Sequence, residues 1–102
     1  MAQLNKPAVY SEDVPGGMAV AGSTASPLAD DGRPVRSIYI QVPTGQNTVE
    51  WGYISRASGA FTTHGLILAG GATTITASSL TPATIQIRSS SGATVYWSSV
   101  QA

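Results

Sequence analysis

The sequence predicts an all-β protein: a single antiparallel β-sandwich or jelly-roll-like domain with an extended N-terminal arm, within 102 residues. Two observations favour this class. From residue 35 onward, apolar and polar residues alternate in short segments, which is the period of a strand with one buried face. Turn-forming clusters of Gly, Ser, Asn and Pro separate these segments every 8 to 15 residues, a spacing typical of sandwiches. No segment requires a helix.

The N-terminal third differs from the rest because it contains four of the six prolines, with glycines between them. Proline at this spacing prevents a long helix, and the glycines weaken a strand, although Met18-Ala19-Val20 is compatible with a short one. We therefore predict an extended arm over residues 1–34, ordered only on a partner, and a body over residues 35–102. A loose tail with no role is the alternative.

The arm also contains widely spaced apolar residues, which a purely solubilising tail does not need. A segment of this kind covers a long surface relative to its mass when it binds. We expect its apolar side chains to anchor it on a partner. These candidate interaction residues are Val9, Tyr10, Val14, Met18, Val20 and Leu28.

The first two strands of the body follow directly from the alternation. Ile38, Ile40 and Val42 share one face of a strand over residues 37–42, and a turn follows at residues 43–47. A second strand is predicted over residues 48–55. Its apolar face carries Val49, Trp51 and Tyr53.

The remaining strands are predicted from turn signals. Ser58-Gly59 leads into a strand over residues 61–68, and Gly70-Gly71 predicts a tight hairpin to a strand over residues 73–76, since adjacent glycines supply positive φ angles. The last two strands, over 84–89 and 93–100, are predicted to form a hairpin. The body thus has six strands, or seven with part of the arm.

One motif occurs twice. Residues 38–51 and 85–97 share the pattern of an Ile-x-Ile strand, a Gly-containing turn, and a strand with Val and Trp two residues apart. Each copy is predicted to be a hairpin with one apolar face, and two such hairpins can cover each other. A chance match in a Ser- and Thr-rich chain is the alternative. The residues predicted to face inward are Ile38, Ile40, Val49, Trp51, Ile85, Ile87, Val95 and Trp97.

The composition excludes several classes of protein. Charged residues make up 10% of the chain, against roughly 25% in an average domain, and the formal net charge is zero, which favours association. One lysine and four scattered arginines do not make a nucleic-acid binder, and no apolar run is long enough to span a membrane. No secretory signal is expected. The absence of cysteine excludes disulfides and thiolate metal sites.

Catalytic residue types are scarce. His64 is the single histidine and has no carboxylate within ten residues, so an ordinary strand histidine is the favoured interpretation. Glu50 is the single carboxylate in residues 35–102, which excludes a two-carboxylate glycosidase site there. Asp30-Asp31-Gly32 lacks the spacing of a calcium loop. We predict that the protein is not an enzyme and has no cofactor or metal.

The aromatic residues allow two interpretations. Trp51 and Trp97 each lie two residues from a valine on one strand face, which favours the core, although a stacking platform for sugar rings is the alternative. Tyr39 and Tyr96 fall on the polar faces of their strands. They are therefore candidate interaction residues, since an exposed tyrosine offers a large contact area at low entropic cost.

The stretches 65–75, 84–87 and 91–97 carry a resemblance to a known class of protein. They follow the patterns G-x-[IL]-x-x-G-x-x-x-x-I and I-x-I-x-S-x-S-G-x-x-V-x-[YW]. Residues 35–100 in this respect resemble small β-sandwich proteins of tailed-bacteriophage virions, which serve as capsid decoration (cement) subunits or as domains of fibres and tail appendages.

The resemblance implies a role. Subunits of that class, often trimeric, sit over joints between major capsid proteins and lock them. We accordingly expect a decoration subunit on the virion surface, made in the host cytoplasm, with the major capsid protein or another virion protein as its partner. A homo-oligomer (trimer or dimer) is expected. We expect the protein to bind neither nucleic acid nor a membrane. The alternative is a carbohydrate- or receptor-binding module of a fibre or adhesin, with Trp51, Trp97 and Tyr96 as its platform.

Overall fold

A computed structural model describes residues 16–102, which form eight strands and no helix. The strands make two four-stranded antiparallel sheets: sheet A in the order β1-β8-β3-β6, and sheet B in the order β2-β7-β4-β5. The all-β sandwich prediction is confirmed. The strands are β1 (Gly16–Ala21), β2 (Ser26–Pro27), β3 (Val35–Gln41), β4 (Val49–Ile54), β5 (Phe61–Ile67), β6 (Ala72–Thr76), β7 (Gln86–Arg88) and β8 (Ala93–Gln101).

The strand order is that of a jelly roll. The pairs β1–β8, β2–β7, β3–β6 and β4–β5 are those of one long hairpin that reverses between β4 and β5. Two further pairs, β3–β8 and β4–β7, arise when this hairpin wraps around itself. Wrapping splits each half of the hairpin between two sheets, whose apolar faces then cover each other.

The two copies of the repeated motif are not hairpins. Residues 38–51 run from β3 in sheet A to β4 in sheet B, and residues 85–97 run from β7 in sheet B to β8 in sheet A. The Gly70-Gly71 turn likewise connects β5 in sheet B to β6 in sheet A. All three predicted hairpins are wrong for one physical reason: a turn signal shows that the chain reverses, whereas long-range pairing decides which strands become neighbours.

The two copies pair with each other in equivalent registers. Ile40 of the first copy lies opposite Trp97 of the second, and Ile87 of the second lies opposite Trp51 of the first. Because these two pairs occupy matching positions in the motif, the copies are related by an approximate two-fold rotation. The sequence leads us to expect that the two copies cover each other. They do so by pairing one strand of each copy with a strand of the other in both sheets.

The two central turns are also bonded to each other. Asn47 donates from Nδ2 to the Gly92 carbonyl (2.7 Å), and the Thr94 amide donates to Oε1 of Gln46 (2.8 Å). Gln46 and Asn47 are the positions where the first copy is one residue longer than the second. The extra length thus reaches across and satisfies backbone groups of the shorter turn.

The core lies between the two sheets and contains most of the residues that the alternation predicts to face inward. Seven of those eight are buried, and Trp51 is half-buried against the core. Trp97 is only 8% exposed, so the core interpretation of this indole is confirmed. The rest of the core comes from β1, from other positions of the body strands and from the connections between strands: Ala21, Leu28, Val35, Val42, Ile67, Ile75, Leu80 and Ala93.

The predicted boundary at residue 34/35 is corrected over residues 16–34, because this stretch belongs to the sandwich. β1 pairs with β8 along its whole length, and β2 pairs with β7. Backbone bonds from Leu28 to Ile85 and from Ala83 to Asp31 join the intervening segment to the C-terminal half. The strand compatible with Met18-Ala19-Val20 is present as β1. Residues 1–15 of the predicted arm lie outside the described residues.

Gly52 should be essential to sheet B. A Cβ atom at this position would lie 1.9 Å from the Thr62 carbonyl oxygen, a backbone atom that cannot move without its strand. We expect Gly52→Ala to lower the free energy of unfolding by at least about 2 kcal/mol in urea denaturation. Gly22→Ala is the matched control, because nothing lies within 4 Å of its added methyl group, and it should change stability by no more than about 1 kcal/mol. Equal stabilities of the two variants would contradict this account.

Candidate interaction surface

The outer face of sheet A is the candidate interaction surface. Alternate residues of a strand point to opposite faces, so Thr94, Tyr96, Ser98 and Val100 point away from the core while Val95 and Trp97 point into it. The register then extends this face across the sheet. Met18 of β1 and Gln41 of β3 lie on either side of Tyr96.

Large apolar and aromatic side chains are exposed on this face. Met18 is 62% exposed and Val20 66%, while Tyr39 and Tyr96 are 43% and 49% exposed. These four residues are among the predicted interaction residues, and the structure brings them onto one surface. Single exposed apolar residues are ordinary on a protein, but several of them on one sheet face indicate a contact surface.

Charge is nearly absent from the same four strands. β1, β6 and β8 contain no Asp, Glu, Lys or Arg, and β3 contains only Arg36, at the irregularity between Val35 and Ser37. Between the exposed apolar groups lie hydroxyl and amide side chains such as Ser98, Thr74 and Gln41. A partner could therefore cover most of this face while desolvating no charged group other than Arg36, and desolvation of charge is a large cost of burying a protein surface.

One predicted interaction residue within the described part of the chain does not lie on this face. Leu28 is 3% exposed and packs in the core, so its assignment as a partner anchor is wrong. The reason is that the segment after β1 is bonded to β7 and turns its apolar side chain between the sheets. Val9, Tyr10 and Val14 lie outside the described residues.

Val100 is a member of the face that sequence reasoning missed. It is 51% exposed and lies on the same side of β8 as Tyr96. The signal was present in the period-2 alternation, because positions 96, 98 and 100 share one side of a strand.

The outer face of sheet B has a different chemistry. The Arg88 guanidinium donates from Nη2 to Oε1 of Glu50 (2.7 Å), and the Thr63 hydroxyl donates to the same oxygen (2.7 Å). The Arg88 guanidinium also lies 4.6 Å from the centre of the Phe61 ring. The hydrogen bond from Arg88, followed by that from Thr63, holds the pKa of Glu50 below its ordinary value. The two charged side chains in the strands of this sheet are therefore paired with each other, and both are partly exposed to solvent.

An aromatic cluster lies at an irregularity in sheet B. Trp51 pairs with Gly65, and Gly52 pairs with Thr63, so His64 is an extra residue that forms a β-bulge in β5. The His64 ring stacks on the Trp51 ring, with centroids 5.8 Å apart, and meets Tyr53 edge-on at 4.8 Å. The interpretation of His64 as an exposed strand histidine agrees with its position in β5.

Gly65 makes room for the indole of this cluster. A Cβ atom at residue 65 would lie 2.5 Å from Nε1 of Trp51, so the indole occupies the space that a side chain would take. The sequence offers Trp51, Trp97 and Tyr96 as a platform for sugar rings, but these three side chains do not lie together in the structure. Trp97 is buried, Tyr96 points to the opposite face of sheet A, and Trp51 lies in sheet B.

No protein-family model, curated protein or solved structure matches this chain. Within residues 16–102, no pocket is present on the surface, and no three His, Cys, Asp or Glu side chains are grouped so that they could hold a metal ion. The described part of the chain also has no helix long and apolar enough to cross a membrane.

The Glu50–Arg88 pair should make stability depend on acidity. Because the folded state lowers the pKa of Glu50, the pair contributes fully above the unfolded value near 4.5 and loses its contribution as the pH falls through the lower folded value. We expect Glu50→Gln to show a smaller decrease in Tm than the unmodified protein when the pH is taken from about 7 to about 3.

The control is the same substitution in an Arg88→Gln background. The effect of Glu50→Gln on the pH dependence should then shrink, because the largest cause of the lowered pKa has already been removed. Identical pH profiles for the unmodified protein and Glu50→Gln would contradict the role of this pair.

Proposed function

We propose that this protein is a structural subunit of a bacteriophage virion, of the capsid decoration type, which binds the major capsid protein lattice and stabilises it. The observation that carries the proposal is the nearly uncharged outer face of sheet A, with Met18, Val20, Tyr39, Tyr96 and Val100 exposed on it. The resemblance of residues 35–100 to virion sandwich proteins supplies the kind of partner.

The chemistry of this face suits attachment to a rigid protein surface. Tyrosine and methionine are enriched in the centres of protein interfaces, where charged residues are depleted. The strands already fix the backbone that carries these side chains, so a partner that covers them does not also have to order a flexible segment of this chain. A docking surface of this kind would give the subunit affinity without any catalytic group.

The small size of the domain favours a role within an assembly. A core made from fewer than about 90 residues, without disulfides, provides only a few kcal/mol of net stability. Contact with a lattice would bury further apolar area and add to that stability through mass action. The predicted anchoring role of Val9, Tyr10 and Val14 remains part of this proposal. A virion location and the absence of catalysis belong to it as well.

The two tyrosines provide the direct test. We expect the double variant Tyr39→Ser/Tyr96→Ser to fold but to occupy virions at an affinity at least about tenfold lower, because it removes two aromatic contacts from the proposed interface. Binding would be measured by adding purified protein to particles assembled without it. Leu66→Ser is the matched control, since it removes an exposed apolar group from sheet B and should bind normally.

Deletion of residues 2–13 tests the N-terminal segment separately. This deletion leaves β1 intact, whereas a deletion through residue 30 would remove β1, β2 and Leu28 from the sandwich. We expect the shortened protein to keep its β spectrum and to bind particles more weakly. Full binding by both the tyrosine variant and the shortened protein would refute the proposal.

A carbohydrate-binding module of a fibre or adhesin is the second candidate, and the cluster of Trp51, Tyr53 and His64 is the observation that favours it. Partly exposed aromatic rings beside hydroxyl groups are a common means of binding sugar rings. On this hypothesis, glycan-array binding should be detectable and should be lost in His64→Ala, with Tyr96→Ala unchanged. Absence of glycan binding together with binding to particles would decide for the structural role.

A further inference from the structure

The two sheets leave four strands at their edges: β1 and β6 in sheet A, and β2 and β5 in sheet B. An edge strand presents unpaired backbone donors and acceptors, and proteins normally protect such strands with proline, charge, bulges or short length. The degree of protection therefore distinguishes an edge that is closed from one that is available for pairing.

Three of the four edges are protected or offer little to a partner. β2 has two residues, one of which is Pro27. β5 is interrupted by the bulge at His64, which disturbs the straight row of groups that a new strand would need. β6 has five residues, and its outward side chains, Ala72, Thr74 and Thr76, offer a partner little apolar area.

β1 has none of these protections. Its six residues run in unbroken register from Gly16 opposite Ser98 to Ala21 opposite Ala93, without proline or charge. Among the described residues, β1 pairs with β8 alone. In an antiparallel ladder the groups of alternate residues point to opposite sides, so about half of its amides and carbonyls face away from β8. Its exposed side chains, Met18 and Val20, extend the candidate interaction surface to this edge.

We propose that β1 pairs antiparallel with β1 of a second copy of this chain, joining the two A sheets into one continuous eight-stranded sheet. A two-fold arrangement is self-complementary, since each strand offers the other the same row of donors and acceptors. Charge is compatible with this occupant: β1 and β8 have no charged residue, and the chain has zero formal net charge, so two copies meet without repulsion.

The consequence is a doubled contact surface. Met18 and Val20 of one copy come beside those of the other, so the two outer faces become one nearly uncharged surface. Six paired residues bury less area than a standard interface, and the dimer is therefore expected to be weak in free solution. This inference goes beyond the proposed function and does not depend on it, since self-pairing can be measured without any particle.

Analytical ultracentrifugation of the full chain tests the dimer directly. We expect a monomer–dimer equilibrium within a concentration range of about 1 µM to 1 mM. The variant Met18→Lys/Val20→Lys should remain monomeric over this range with an unchanged β spectrum, because it places four like charges together at the two-fold axis. Leu66→Lys is the matched control: Leu66 is 63% exposed, close to the 62% of Met18, but lies on sheet B, so the dimer should persist.

Hydrogen exchange on the unmodified protein separates edge pairing from stacking of faces. Edge pairing protects the outward amides of β1 as concentration rises, whereas stacked faces leave those amides open to solvent. The proposal is overturned by a monomer at every concentration, by a dimer that survives Met18→Lys/Val20→Lys, or by unchanged exchange in β1. A dimer that appears only after deletion of residues 2–13 also overturns it, because the N-terminal segment then occupies the edge in the full chain.

Discussion

The pairing of the two motif copies is the interaction on which the rest of the fold depends. β3–β8 and β4–β7 are the central pairs of the two sheets, and both join one copy to the other. Ile40 opposite Trp97 and Ile87 opposite Trp51 place the large side chains of each copy beside the strand of its counterpart. Each central pair takes one strand from each copy, so neither sheet is complete without both copies.

This constraint determines where the outer strands must go. With β3 and β8 paired at the centre of sheet A, the positions left for β1 and β6 are its two edges. β1 then needs only small inward residues, and Ala19 and Ala21 fill the space at the margin of the core. Its outward residues are free to serve contact rather than folding. The candidate interaction surface is therefore built on strands that the central β3–β8 pair holds in place.

The alternation of residues predicted the faces of the strands but not their partners. Ile38 and Ile40 in β3, like Val95 and Trp97 in β8, turn inward as expected, because the period of two is a local property of the chain. A turn such as Gly70-Gly71 shows that the chain reverses direction. It does not show which strand the next one pairs with, because that depends on contacts far along the sequence. The bulge at His64 could not be foreseen, since a bulge is defined only by the register between two strands.

The features that protect a sheet against association, namely charged side chains and β-bulges, are more frequent in sheet B than in sheet A. Sheet B has the Glu50–Arg88 pair on its outer face and the His64 bulge on its edge. Sheet A has exposed Met18 and Val20 at an uninterrupted edge, and almost no charge on its outer face. Exposed apolar edges are costly in a protein that must remain separate, because they promote non-specific pairing. Sheet B also exposes an apolar side chain on its edge strand, Leu66, so the two sheets differ in charge and in the continuity of their edges rather than in apolar exposure alone.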